Sequence, residues 1–283
     1  MARPRRRGVT VVAAAAAAAA AIVMATLAAA GGTSPPRHLP LGIVTSGVVR
    51  PGTFARTVAG RIRPLGVYDS LEGTLEYFYG IITSGTARAV SFGVSQFLVS
   101  PPYAYAKVDF VVSNDATGRS VTASHAGVWR FNAAGLVTGY DLELPRMTAS
   151  LAAIGINYTD PAFVATALIP RVCAVVGRAC TGRHRLWGSA AECAAYLATR
   201  RIADGYAEGD NFGCRALHAP LTVWRPDLHC KHVGEDGGGK CVDRPLRQLY
   251  DDDVRILGYP WLAPAAVGGM PGVGVGAGAE GGA

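Results

Sequence analysis

Apolar residues at Leu71, Leu75, Phe78 and Ile82 recur at helical spacing, which predicts a helix from Tyr68 to Ile82 with one apolar face. Beyond it the period changes to two. Phe92, Val94 and Gln96 alternate with serine and glycine, and the run closes at Leu98-Val99 before Pro101-Pro102. Ala106, Val108, Phe110 and Val112 share one side of a second strand that ends at Ser113-Asn114-Asp115. A third strand is predicted near Ser120–Phe131 and a fourth over Leu136–Leu144, stopped by Pro145. Asn132-Ala133-Ala134-Gly135 between them is a tight turn, with Gly135 suited to positive φ. A helix followed by an antiparallel meander is an α+β pattern. Strand–helix alternation of the dinucleotide-binding kind is absent from the sequence.

The second half changes character. Phe163–Val176 is apolar and helical in part, with Pro170 as an interruption. Ser189-Ala190-Ala191-Glu192 is a capping box, after which Cys193, Tyr196 and Leu197 share a helical face. Asp210 or Asn211 is a cap for a short helix holding Cys214, Leu217, His218 and Leu221. Trp224 to Cys241, with Pro226, two histidines and four glycines, reads as a loop. Asp251-Asp252-Asp253 reads as a solvated acidic turn.

The first thirty residues stand apart. Arg3, Arg5, Arg6 and Arg7 precede an uncharged, alanine-rich run from Val9 to Ala30, and Ala28-Ala29-Ala30 offers small residues for cleavage. That is the layout of a secretory signal, with an uncleaved anchor over residues 9–30 as its rival. The chain is then secreted, or membrane-anchored with its C-terminal part exported. Contact with a membrane is expected only if the segment is retained. Without those four arginines the formal charge of +7 falls to +3, and no sustained basic stripe remains. Nucleic acid is therefore excluded as an expected partner. Half of the 283 residues are apolar, ample for a core. Residues 31–40 read as a linker and 264–283, with eight glycines, as a disordered tail.

Export changes how the cysteines are read. Cys173, Cys180, Cys193, Cys214, Cys230 and Cys241 are an even set in one third of the chain. They predict three disulfides of undetermined connectivity. The rival reading is a metal cluster of Cys214, His218, His229 and His232, because Cys214 and His218 are one helical turn apart and two more histidines flank Cys230. Between the two lies a third arrangement, disulfides beside a histidine-only metal site. The spacing departs from zinc fingers, since no C-x-x-C occurs. No cofactor is expected on the main reading. Asn157-Tyr158-Thr159 is an N-glycosylation sequon.

Two stretches resemble known families. Val128-Trp129-Arg130-Phe131-Asn132-Ala133-Ala134-Gly135-Leu136-Val137, ending Gly139-Tyr140-Asp141, resembles the last hairpin of SnoaL-like domains, the nuclear-transport-factor-like cone. The likeness covers about 65–150. It implies helices closing a curved antiparallel sheet around a pocket. The second stretch runs from Cys214-Arg215-Ala216-Leu217-His218 through Leu228-His229-Cys230-Lys231-His232 to Lys240-Cys241. It is similar to the Cys/His-rich C-terminal segment of uncharacterised exported proteins, a group that brings no activity with it.

The resulting organisation is a cone over 41–160 and a helical and loop-rich, disulfide-bonded segment over 161–263. Because cone families include isomerases, dehydratases, cyclases and non-catalytic binders, the fold leaves function open. The first reading is an exported protein that binds a small apolar ligand or a partner. The second is a SnoaL-like enzyme moving protons with His125, Asp109 or Asp141, which requires at least two of these to converge. The third is a metal-binding Cys/His protein. No nucleophile motif, P-loop or zinc-protease motif competes.

Overall fold

The computed structural model describes residues 53–81, 87–202 and 207–258; the segments expected to be a leader, a linker and a tail, and Ile82, lie outside these. Among the described residues six strands form one sheet in the order β2-β1-β6-β5-β4-β3. They are β1 (Phe54–Arg63), β2 (Gly66–Tyr68), β3 (Ala87–Ser100), β4 (Tyr103–Asn114), β5 (Arg119–Phe131) and β6 (Val137–Glu143). All neighbours are antiparallel except β1 and β6, which run parallel. Register shifts between Ala89 and Ser91 and between Val94 and Gln96 bulge β3, and another breaks β5–β6 after Arg130. Each bulge increases twist locally, which curls a long sheet onto one face. The expected α+β architecture, a curved antiparallel sheet packed by helices, is the one observed.

What fills the curl is the predicted helix. Ser70 caps α1 (Leu71–Leu75) by accepting from Gly73 N at 3.1 Å. The helix continues as a π turn, Glu76–Ile81. Phe78 from this turn is the hub of the interior. Its ring lies 4.9 Å from Tyr77, 5.4 Å from Tyr140 and 5.8 Å from both Phe54 and Trp129. Val58, Ile62, Ala104, Ala106 and Leu142 complete this core from the strands. Tyr140 donates to Thr74 Oγ1 at 3.1 Å, so its hydroxyl is not stranded. Gly60 is required beneath it, since a Cβ there would lie 2.1 Å from the Tyr140 ring.

The C-terminal lobe has its own core. Helix α2 (Met147–Ala153) leads to the long α3 (Pro161–Ala179), then α4 (Ala190–Ala198), α5 (Phe212–His218), α6 (Pro226–Val233) and α7 (Leu246–Leu257). Three disulfides cross-link it: Cys173–Cys193 joins α3 to α4, Cys180–Cys230 joins the end of α3 to α6, and Cys214–Cys241 joins α5 to the segment after α6. All six cysteines are paired, as the disulfide reading expects. Cys173, Cys193, Phe212, Leu197 and Val233 pack together in one buried cluster.

Strand β1 carries no clean alternation and is not among the elements expected from the sequence; it lies between the edge strand β2 and β6. Three local expectations are corrected. Pro170 does not interrupt α3, because a π turn over Val164–Leu168 precedes it and opens the ladder where its N–H is missing. Trp224–Cys241 contains helix α6, with Pro226 in the first turn where a proline costs nothing. The three aspartates are helical, in α7, and Asp252 is buried and paired with Arg244 at 2.6 Å and Arg255 at 2.8 Å.

Phe78→Ala is expected to destabilise the protein by about 3–5 kcal/mol, by emptying the point where five rings meet. Leu98→Ala, at a position 70% exposed on β3, should stay within about 0.5 kcal/mol of wild type. Denaturant unfolding of the two variants measures both.

Candidate functional site

The three proton-transfer candidates do not converge. In the β4–β5 register Val108 opposes His125 and Asp109 opposes Ser124, so Asp109 and His125 project to opposite faces of the sheet. Asp109 accepts from Ser124 Oγ at 2.5 Å and lies 3.4 Å from Lys107 Nζ, and the serine contact holds its carboxyl below the usual carboxylate range. Asp141 opposes Val128 on β5 and Arg61 on β1. Arg61 grips it through Nε at 3.1 Å and Nη2 at 2.6 Å, and Asp253 of α7 pairs with the same guanidinium. Asp141 therefore serves an ion pair beneath α7.

His125 alone faces the interior. It is 93% buried on the same side of β5 as Trp129, with ring centroids 6.0 Å from Tyr77 and 6.2 Å from Phe78. Burial pushes its pKa down to about 4, leaving the ring neutral at pH 7. Its Nε2 has no hydrogen-bond partner among the described residues, nor has the buried Tyr68 hydroxyl, whose ring packs 5.1 Å from Tyr77.

The second constellation lies in the lobe. Asn211, the observed cap of α5, accepts from Cys214 N at 2.8 Å, while the alternative cap Asp210 pairs instead with Arg215 at 2.7 Å and Arg200 at 3.2 Å. Helix α5 ends in His218, and α6 carries His229 and His232 three residues apart on one face. His218 Nδ1 is 3.0 Å from His229 Nδ1 and 3.4 Å from His232 Nδ1. All three rings are buried, and one nitrogen of each lies within 4.8 Å of the others. The fourth expected ligand, Cys214, is not available: its sulfur is bonded to Cys241, and a disulfide lacks the thiolate that binds a metal. Burial, then the neighbouring His229 and Lys240, push His232 down to about 3.

The cone reaches into this cluster. Glu76, in the π turn, accepts from Arg225 at 3.1 Å, and its other oxygen lies 3.3 Å from His229 Nε2. That approach is at ion-pair distance but off the N–H axis, so it is not a hydrogen bond in the strict sense.

Residues 142–244 match the BfoA family C-terminal domain. The matched span starts in β6 and includes all six cysteines and the three converging histidines, while Glu76 lies outside it. The chain is 25% identical over 230 residues to the Aurasperone B biosynthesis cluster protein A of Aspergillus niger, covering 73% of this chain and 75% of that protein. It is likewise 25% identical over 229 residues to the Bifonsecin B biosynthesis cluster protein A of Aspergillus brasiliensis, covering 73% and 77%. Among solved structures, a protein with a ketosteroid isomerase-like fold from Catenulispora acidiphila aligns at 14% identity over 48% of this chain and 92% of that one, with a TM-score of 0.34. An NTF2-like protein of unknown function from Burkholderia pseudomallei aligns at 16% over 36% and 80%, with a TM-score of 0.30.

The BfoA-type segment also holds Asn157, in the loop between α2 and α3. Its Oδ1 accepts from Thr159 N at 3.0 Å and Thr159 Oγ1 at 2.7 Å. Glu76 and Arg225 are the site residues to which the sequence assigned no role: Arg225 stands in the Cys/His-rich stretch without being a candidate ligand, and Glu76 lies in no motif.

The lowered pKa of His125 has a definite pH consequence. Unfolded, its imidazole titrates near about 6.5. Between there and its folded value of about 4, the unfolded chain binds the proton and the folded chain does not, so stability falls as pH drops through that window. His125→Phe removes this component. The stability difference between wild type and variant is expected to change by on the order of 3 kcal/mol from pH 7 to pH 4, measured by urea unfolding.

Proposed function

We propose that this chain is an exported, disulfide-stabilised protein of small-molecule biosynthesis that binds an apolar, hydroxyl-bearing molecule in its cone, against His125. One observation carries the reading: a neutral imidazole, buried beside Tyr77 and Phe78, keeps an unpartnered nitrogen. Burying such a group costs about 1–3 kcal/mol, and a hydroxyl donor on a ligand recovers it. The Tyr68 hydroxyl, also unpartnered among the described residues, adds a second polar contact across Tyr77.

Binding fits this arrangement better than proton transfer. A base with a pKa of about 4 is matched to weak demand at pH 7, and neither Asp109 nor Asp141 shares its face to act with it. The names of the biosynthesis cluster proteins agree with a small molecule as the partner. Export is supported by the signal-like layout of residues 1–30 and by three disulfides, which persist in oxidising compartments.

Quenching of tryptophan fluorescence by 1-naphthol and by naphthalene, read as the component lost in Trp129→Phe, tests the cone. Both are expected to bind saturably, with the naphthol favoured about tenfold, equivalent to about 1.4 kcal/mol for the hydroxyl. His125→Phe should abolish that preference and leave naphthalene binding intact. No saturable binding by wild type, or a preference that survives the substitution, rules the reading out.

A further inference from the structure

We infer that His218, His229 and His232 form a mononuclear site for a divalent first-row transition ion, zinc or copper, bound through three Nδ1 atoms with one coordination position open. The site lies in the lobe, apart from the cone, and does not depend on the cone's ligand.

The spacing of the nitrogens is the first support. Tetrahedral coordination at a metal–nitrogen distance of about 2.0–2.1 Å places neighbouring ligand nitrogens about 3.3–3.4 Å apart. The observed separations from His218 Nδ1 are 3.0 and 3.4 Å. One nitrogen of each ring lies within 4.8 Å of the others, so the rings close on a common ion by short movements.

Lone-pair accounting is the second. A ring nitrogen has one in-plane site, either a proton or a lone pair. His218 Nδ1 therefore cannot form a well-aligned hydrogen bond to both partners, and in any neutral assignment at least one of the three Nδ1 sites, proton or lone pair, is left unpaired in the buried space they share. A single cation accepts all three. Zinc and copper both suit imidazole donors.

The third support is the outer shell. Glu76 Oε2 faces His229 Nε2, favouring the tautomer with its proton on that nitrogen and its lone pair on Nδ1. Arg225 in turn holds Glu76 at 3.1 Å. Disulfides fix the supporting backbone. Cys230, between two of the histidines, is bonded to Cys180, and Cys214, one turn before His218, to Cys241. Neither the Cys214–Cys241 pair, which is oxidised, nor Glu76, on the far side of the His229 ring, supplies a fourth ligand. Three protein ligands with an open position are the arrangement of reactive rather than purely structural zinc sites.

The test uses the full, untagged, disulfide-intact chain, stripped with a chelator and titrated with Co²⁺, Zn²⁺ and Cu²⁺. One equivalent of Co²⁺ should develop the visible absorption of a four-coordinate ion, Zn²⁺ should displace it, and azide should shift the spectrum through the open position. On Zn²⁺ addition, three of the six imidazole spin systems should move in the NMR spectrum. His218→Ala and His232→Ala should each weaken binding at least ~100-fold and Glu76→Gln about 10–100-fold, whereas His184→Ala should bind as wild type. A folded wild-type chain with all cysteines oxidised that takes up no stoichiometric ion overturns the site, whatever the variants do. So does one-equivalent binding that persists when His218 and His232 are both replaced. An azide-insensitive spectrum overturns the open position.

Discussion

Glu76 is a buried carboxylate that ties the two cores of this protein together. It belongs to the π turn whose next two residues, Tyr77 and Phe78, form the centre of the cone. Two positions apart on a helix is about half a turn, so Phe78 can enter the aromatic interior while Glu76 looks the other way. There it is held by Arg225 at 3.1 Å and lies 3.3 Å from His229, with a side chain only 12% exposed. A carboxylate this buried is tolerable only with its partners in place, and losing one of them commonly costs about 3–5 kcal/mol. Any shift of the lobe against the cone is resisted at that point. It would also move the ring that Glu76 faces.

The lobe needs such fixed points because its helices are short. Helices α4, α5 and α6 have 9, 7 and 8 residues, well below the length at which a helix holds itself in water. Cross-links supply what propensity does not. Their sequence separations of 20, 50 and 27 residues correspond to about 3–4 kcal/mol each on chain-entropy grounds. None of the three reaches the cone. The union of cone and lobe is therefore non-covalent: Glu76 with Arg225, Lys240 donating to the Val67 carbonyl, Ala207 N to Pro64 O at 2.9 Å, and Arg61 shared between Asp141 and Asp253.

The same division explains what could be read from the chain in advance. Strands β4, β5 and β6 were legible because one face of each meets the core and the other meets less apolar surroundings, so alternation survives in the sequence. Strand β1 was not. Its Arg61 and Arg63 suggest a solvated segment until α7 brings Asp253 over that face of the sheet. The acidic run in α7 was misread because Asp253 meets Arg61 of β1, far away in the chain, while Asp252 finds Arg244 and Arg255 only once the helix has formed. Helix α6 was hidden by Pro226 and by polar residues that its buried face would not ordinarily carry; His229 and His232 are buried there because they turn toward His218. The cysteine and histidine set was visible by composition alone, within a short stretch. Glu76 was invisible, because its bond to Arg225 spans 149 residues and no local spacing marks it.

Histidine plays two distinct parts in this molecule, and the neighbours decide which. His125 is enclosed by aromatic rings that offer it neither a charge nor a donor, so burial alone governs its proton and leaves a nitrogen with nothing to bind. His218, His229 and His232 are buried as thoroughly, but they are buried together, and their nitrogens oppose one another at contact distance. An isolated imidazole is completed by a ligand's hydrogen bond, whereas three convergent ones are completed by a cation. A chain that confined its histidines merely for packing would have little reason to turn three of the same nitrogen toward one point, nor to hold a carboxylate from the other core behind one of them. The two sites therefore differ in the chemistry they select, and the π turn that supplies Tyr77 and Phe78 to one and Glu76 to the other is the element they share.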